Sequence, residues 1–260
     1  MSDVSDRAGQ PAGAVLFARY AFPPNELGYC GPEDPDVLLR HATAPAAGTS
    51  AEVRRRAEQF DGAWAYLELI AAAAGIADPL DARVVEAYWI GNSLLDQVDP
   101  EAFVAALGER FAGELVRAAR PRWTRIPPEA AAAHHSFHVF AVYPWVDLLT
   151  RATPPRRAEI AVGVLDQCRI RWGTVTARTG DRLLVRARPL VWDGHRLGLG
   201  AERIEPVRWT SAGQQRPDPP EPGELVSCHW DWVCDRLTEE QAAQLAARSD
   251  QQVAAANRTS

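Results

Sequence analysis

The apolar positions along the chain change their period once, near Cys168, and that change divides the sequence into two parts. Before it the spacing is helical. Ala51–Ile76 carries Phe60, Trp64, Tyr66, Leu67 and Ile70 close to a 3.6-residue period, and Gly75 stops it. Asp81–Val98 repeats the pattern with Val84, Val85, Tyr88, Trp89, Leu94 and Leu95. Asp99-Pro100 opens a third helix, with proline at its tolerated first position and Phe103, Leu107, Phe111 and Leu115 along it. Pro128–Thr150 reads as an alanine-rich helix interrupted at Pro144, and Pro155 to about Gln167 as a last one. Ahead of these, residues 1–13 read as a loose tail and Val15–Phe22 as an apolar run broken by Pro23-Pro24. The glycines and proline of Asn25–Pro32 force a turn there.

From Cys168 the period is two. Cys168, Ile170, Trp172 and Thr174 share one face of a strand, with Arg169 and Arg171 on the other. Leu183-Leu184-Val185 and Ile204–Trp209 are further strands. Asp193-Gly194 supplies a type I′ turn between Leu190-Val191-Trp192 and His195-Arg196-Leu197. Ser211–Pro222 is a polar, proline-rich excursion without periodicity, and Glu224–Arg236 reads as the longest strand. Thr238-Glu239-Glu240-Gln241 is a capping box for a final helix to about Ala255. The expectation is an α+β chain. An all-α domain covers residues 1–155, and a small OB-like β-barrel with a C-terminal helix covers 156–260.

Composition narrows the function. A net charge of -6 and a pI near 5.6 argue against a nucleic-acid binder with a broad basic field. The chain has no lysine, so its many arginines are poor evidence of anion recognition. No apolar run approaches the roughly 18 residues that would cross a bilayer, and the first thirty residues lack a secretory pattern. Four cysteines then read as free thiols in a cytoplasmic protein.

The candidate chemistry lies in three places. Cys168 is flanked by Arg169 and Arg171, cations that favour a thiolate and lower its pKa from about 8.5; the bland alternative is a buried thiol packed as a small apolar residue. His229 falls on the more polar face of the last strand. Along one strand Cys228 and Cys234 would stand roughly 20 Å apart, too far to share a zinc ion with it. In the helical part, His134 and His138 are four residues apart, hence on one helix face about 6 Å from each other, a spacing at which two imidazoles can share a metal. Glu26, Cys30 or Asp96 could add a third ligand to a metal-dependent enzyme built on that helix. No glutamate follows His134, which excludes the zinc-protease motif.

The order of these signals resembles a known family. Cys168-x-x-x-x-Gly173-x-Val175, then short strands, then Gly223-x-Leu225-Val226-x-x-His229, then Asp235-Arg236-Leu237-Thr238-Glu239-Glu240, is similar to the HypC/HupF assembly chaperones of [NiFe]-hydrogenases. The likeness covers roughly residues 166–256. Cys168 matches the family's essential cysteine and His229 its histidine. The resemblance implies a cargo of iron bearing cyanide and carbon monoxide, the Fe(CN)2CO fragment. It also implies two partners, an iron–sulfur scaffold protein and the hydrogenase large-subunit precursor. The chain departs from the family in four respects: Cys168 is internal, Trp172-Gly173 replaces Pro-Gly, Asp231 stands where the family tends to have glycine, and the middle of the domain is longer through Ser211–Pro222.

Overall fold

Prolines 23 and 24 do not end the first helix. In the computed structural model, which describes residues 12–46, 48–110, 122–150, 154–211, 214–215 and 219–258, helix α1 runs over Gly13–Glu26 with both prolines inside it. Most of the expected tail, Phe111 and Leu115, and much of the Ser211–Pro222 excursion lie outside the described residues. A proline in a helix removes the hydrogen bond to the carbonyl four residues earlier. Here the prolines fall in the last turns, where the cost is least, and they leave the carbonyls of Arg19 and Tyr20 without their helical donors.

Helices α2 (Asp36–Thr43), α3 (Thr49–Ala57), α4 (Asp61–Ala73), α5 (Ala82–Trp89) and α6 (Pro100–Arg110) follow. The one helix expected over Ala51–Ile76 is two, broken between Ala57 and Asp61, and that over Asp81–Val98 is α5 followed by a 3-10 turn (Ser93–Gln97). Helix α5 starts on an Asp81 side chain that accepts from the Arg83 amide. The expected helix over Pro128–Thr150 is absent as such. Its place is taken by a 3-10 turn (Pro128–Ala130), a three-residue helix α7 (His135–Phe137), a π-turn (His138–Val142) and a short α8 (Trp145–Thr150). The break comes at His134, which is extended (φ -130°, ψ 147°); its Nδ1 accepts from the Ser136 amide and caps α7. Helix α9 (Pro155–Cys168) then delivers the chain to the sheet.

Strands β1 (Arg171–Thr179), β2 (Arg182–Ala187), β5 (Arg203–Arg208), β8 (Leu225–His229) and β9 (Trp232–Arg236) are hydrogen-bonded in the order β1-β2-β5-β9-β8, and β8 returns to β1, so the ladder closes on itself. All its pairings are antiparallel except β5 with β9, which meet in parallel at Arg208 and Trp232. A separate hairpin, β3 (Leu190–Trp192) with β4 (Leu197–Leu199), is fastened by Asn257, whose side chain bonds both the N–H and the C=O of Leu197. Its connection is longer than the two-residue turn expected. Four residues span it, with Gly194 at φ 101° and the Asp193 carboxylate accepting from the amides of His195 and Arg196. Strands β6 (Thr210–Ser211) and β7 (Gln214–Gln215) form a minimal ladder within the excursion.

The expected single strand Glu224–Arg236 is instead the hairpin β8–β9. It turns at Trp230-Asp231, with Trp230 left-handed at φ 53°. Distant groups hold this unusual turn. The Trp230 amide donates to the Gln167 carbonyl at 2.8 Å, and the Arg208 amide donates to the Asp231 carbonyl at 2.6 Å. The Arg208 guanidinium grips the Asp231 carboxylate at 2.8 and 2.9 Å and also bonds Glu26.

Helix α10 (Glu239–Arg258) begins with the expected capping box. The Gln241 amide donates to Thr238 Oγ1, and the Thr238 amide to Gln241 Oε1. The largest apolar cluster takes Phe17, Tyr66, Tyr88 and Phe137 from the helical part and Ile170, Trp232, Leu237 and Leu245 from the later part. The two parts of the chain therefore share one core.

Candidate metal centre

Two helices end with carbonyls that helical bonding cannot satisfy, and each of those carbonyls holds a histidine. Pro24 has no N–H to offer Tyr20, and the Tyr20 carbonyl accepts from His229 Nδ1 at 2.7 Å. Cys168 closes α9, and its carbonyl accepts from His135 Nε2 at 2.8 Å. A carbonyl only accepts, so each of these ring nitrogens carries the proton. The Tyr88 hydroxyl donates in turn to His135 Nδ1 at 3.2 Å. His229 is left with Nε2 as a bare lone pair, buried without a hydrogen-bond partner.

These constraints bring His135 and His229 within 5.1 Å, ring to ring. One ligand atom each from His135, Cys168 and His229 lie within 4.8 Å of one another, and they are the group of such residues that could hold a metal among the described residues. In a tetrahedral N2S set with bonds of about 2.0–2.3 Å, the ligand atoms stand roughly 3.5 Å apart. Closure on a metal thus needs inward shifts of about 1 Å at most. The donor set suits a borderline-soft ion, because thiolate and imidazole both bind zinc and ferrous iron. An imidazole whose far nitrogen donates to a backbone carbonyl is also the usual posture of a metal ligand.

All three residues line a cavity of about 260 Å³. Its walls are mainly aromatic, with Phe60, Trp89, Tyr143, Trp145 and Trp230 among them, and Cys30 and His138 also line it. Tyr29, itself 53% exposed, stacks on Trp230 at 4.2 Å on its outer side. Its loop carries Gly28 and Gly31 at positive φ and is tied down by the Asn25 amide, which donates to the carbonyls of Cys30 and Pro32. Gly62 makes room at another wall, since a Cβ there would lie 2.6 Å from His138 Nε2.

Burial keeps these imidazoles uncharged. It lowers His135 to about 4 and drives His229 well below the ordinary histidine value. His134 and His138 fall to about 3, by burial first and by the neighbouring His135 second. The expected thiolate at Cys168 is corrected: burial raises its thiol above the normal range, and the residue is only 9% exposed. The flanking arginines do not help it. Arg169 is committed to Asp166 and the Arg188 carbonyl, and Arg171 to Glu205, Gln167 and the Trp230 carbonyl. Cys30 is likewise pushed up to about 12.

Sequence reasoning thus paired Cys168 with His229, and the structure brings both to one place. It does not bring His134 and His138 together on a helix face. His134 caps α7 outside the cavity, whereas His138 lies on the cavity wall with Nδ1 against the Tyr66 hydroxyl at 3.2 Å. Glu26 is held by Arg208, and Asp96 by Arg248. The residue that was missed is His135. No local pattern tells which of two adjacent histidines turns toward a sheet more than thirty residues further on. The hairpin also alters the argument about Cys228 and Cys234, since the register now pairs Cys228 with Val233 beside Cys234. Among the described residues they join no set of three metal ligands.

A mixed helical and β chain with a buried His-Cys-His cluster lining an aromatic cavity defines the class. The chain belongs to DUF6390, a family of unknown function whose model matches residues 9–260. No curated protein and no solved structure matches it. No helix among the described residues is long and apolar enough to cross a membrane.

Proposed function

We infer that this chain is an accessory protein of [NiFe]-hydrogenase maturation, holding an Fe(CN)2CO fragment on the Cys168 sulfur with His229 beside it. The observation that carries the reading is the meeting of these two residues, 61 positions apart in the chain, in the wall of an apolar cavity. Kinship of the closed sheet with the OB-like barrels of HypC/HupF chaperones belongs to the same reading. So do the cytoplasmic setting and the two partners, an iron–sulfur scaffold protein and the large-subunit precursor.

The chemistry follows from the residues. A low-spin ferrous ion takes a soft thiolate readily, and forming the Fe–S bond releases the thiol proton. Because burial holds Cys168 protonated, uptake is pH-dependent and favoured at higher pH. The aromatic walls exclude water from the cargo. Tyr29, stacked on Trp230, forms part of the wall beside the cargo.

Infrared spectra of protein purified anaerobically from cells with an active maturation system test this directly. Cyanide and carbonyl stretches are expected in the wild type and absent from Cys168→Ala, which also fails to support hydrogenase activation. Wild-type protein without these bands, together with full hydrogenase activation in its absence, would sink the reading.

A further inference from the structure

His135 reaches the cluster from the helical part, whereas Cys168 and His229 belong to the helix–strand junction and the sheet. Its ring lies 5.1 Å from that of His229, and one of its nitrogens falls within 4.8 Å of both other ligand atoms. It is 5% exposed, held inside the same buried cluster as the other two. The independent sign that a ligand is wanted here is His229 Nε2: with Nδ1 donating to the Tyr20 carbonyl, its lone pair meets no donor, in a residue that lines the cavity and is 1% exposed. Such an orphan is ordinarily costly, and a metal removes the cost.

We propose that His135 is the third protein ligand of a divalent transition metal, completing an N2S set with Cys168 and His229 that exists only when the two parts of the chain are packed together. The proposal rests on the reading that Cys168 and His229 bind metal, and extends it. To coordinate, His135 gives up one of its two hydrogen bonds, to the Cys168 carbonyl or to the Tyr88 hydroxyl, and keeps the other to orient the ring. Coordination arithmetic supports three ligands: a six-coordinate ferrous ion carrying three diatomic ligands has three positions left. Two protein ligands would leave one for water or a partner's side chain; three close the sphere without help.

Cobalt(II) is a suitable probe, because its absorption reports both thiolate bonding and coordination geometry. X-ray absorption of the cobalt-loaded, full-length wild type should show one sulfur and two imidazoles. His135→Ala, and His135→Gln, which keeps a donor for the Cys168 carbonyl, should each weaken cobalt binding at least tenfold and alter the d–d bands. His195→Ala, in the exposed β3–β4 connection, should leave both unchanged. One sulfur with a single imidazole in the wild type overturns the role of His135 and leaves Cys168 and His229 standing. A cobalt site without sulfur, or no stoichiometric binding, overturns both. Because the ligand count is taken on the wild type, it holds even where a variant fails to fold.

Discussion

Four histidines buried without charge make a specific demand on pH. Unfolded, each imidazole binds a proton below about pH 6.5, while in the folded chain His134, His135, His138 and His229 resist protonation. The unfolded state then binds more protons, so stability falls as pH drops below about 6.5. The thiols act in the opposite sense. Cys30, Cys168 and Cys228 are raised by burial, so above about pH 9 the unfolded chain ionises first and stability is lost again. Urea midpoints measured from about pH 5 to 10 should therefore be flat between roughly 6.5 and 9 and fall on both sides. Carboxylates titrate near pH 4, so an acid limb beginning only there would count against four neutral imidazoles. At this scale the sequence was half legible. Cys168 and His229 stood out through the order of motifs around them, but the ionisation of Cys168 did not. Flanking arginines suggest a thiolate only while their charges are available, and Asp166 and Glu205 claim them.

Among the elements, α1 shows how a sequence signal can be read for the wrong consequence. Pro23-Pro24 looks like a helix terminator, and its effect here is to free a carbonyl. Replacing Pro24 with alanine returns an N–H that competes with His229 for the Tyr20 carbonyl. Stability should change by no more than about 1 kcal/mol, while metal affinity falls about tenfold as the His229 ring loses its orientation. Isothermal titration with cobalt(II), alongside a thermal melt, separates the two effects; unchanged affinity would mean that the carbonyl bond does not position the ring. The β8–β9 turn was hidden for another reason. Trp230-Asp231 contains no glycine, proline or asparagine, and its left-handed tryptophan is held by Arg208 and Gln167 from other elements. Arg208→Ala removes the cation that bridges Asp231 and Glu26 and the stacking over Trp232. The group is partly exposed, so a loss of about 1–2 kcal/mol is expected, read as a lower melting temperature. A variant as stable as the wild type would show that the turn holds itself.

At the scale of the whole molecule, the change of period at Cys168 marks a change of secondary structure, yet the hydrophobic core runs across it. Periodicity reports which face of an element is apolar; it does not report what that face meets. Ile170, Trp232, Leu237 and Leu245 bury themselves against Phe17, Tyr88 and other helical residues. Tyr20 holds both His229, through its carbonyl, and Ser227, through its hydroxyl at 2.6 Å, and Arg19 pairs with Asp235. A polypeptide of residues 156–260 alone would expose this apolar surface and leave Ser227 and His229 without their helical partners. Burial of a large aromatic or aliphatic side chain contributes about 1.5–3 kcal/mol, and net domain stability is only about 5–15 kcal/mol. Losing four such contacts is therefore enough to unfold the piece. It should aggregate or lack dispersed amide signals in NMR, and it should bind cobalt(II) far more weakly than the full chain. A well-folded fragment that bound the metal as tightly as the whole protein would show instead that the sheet builds its site unaided, and that the helical part serves a partner rather than the centre.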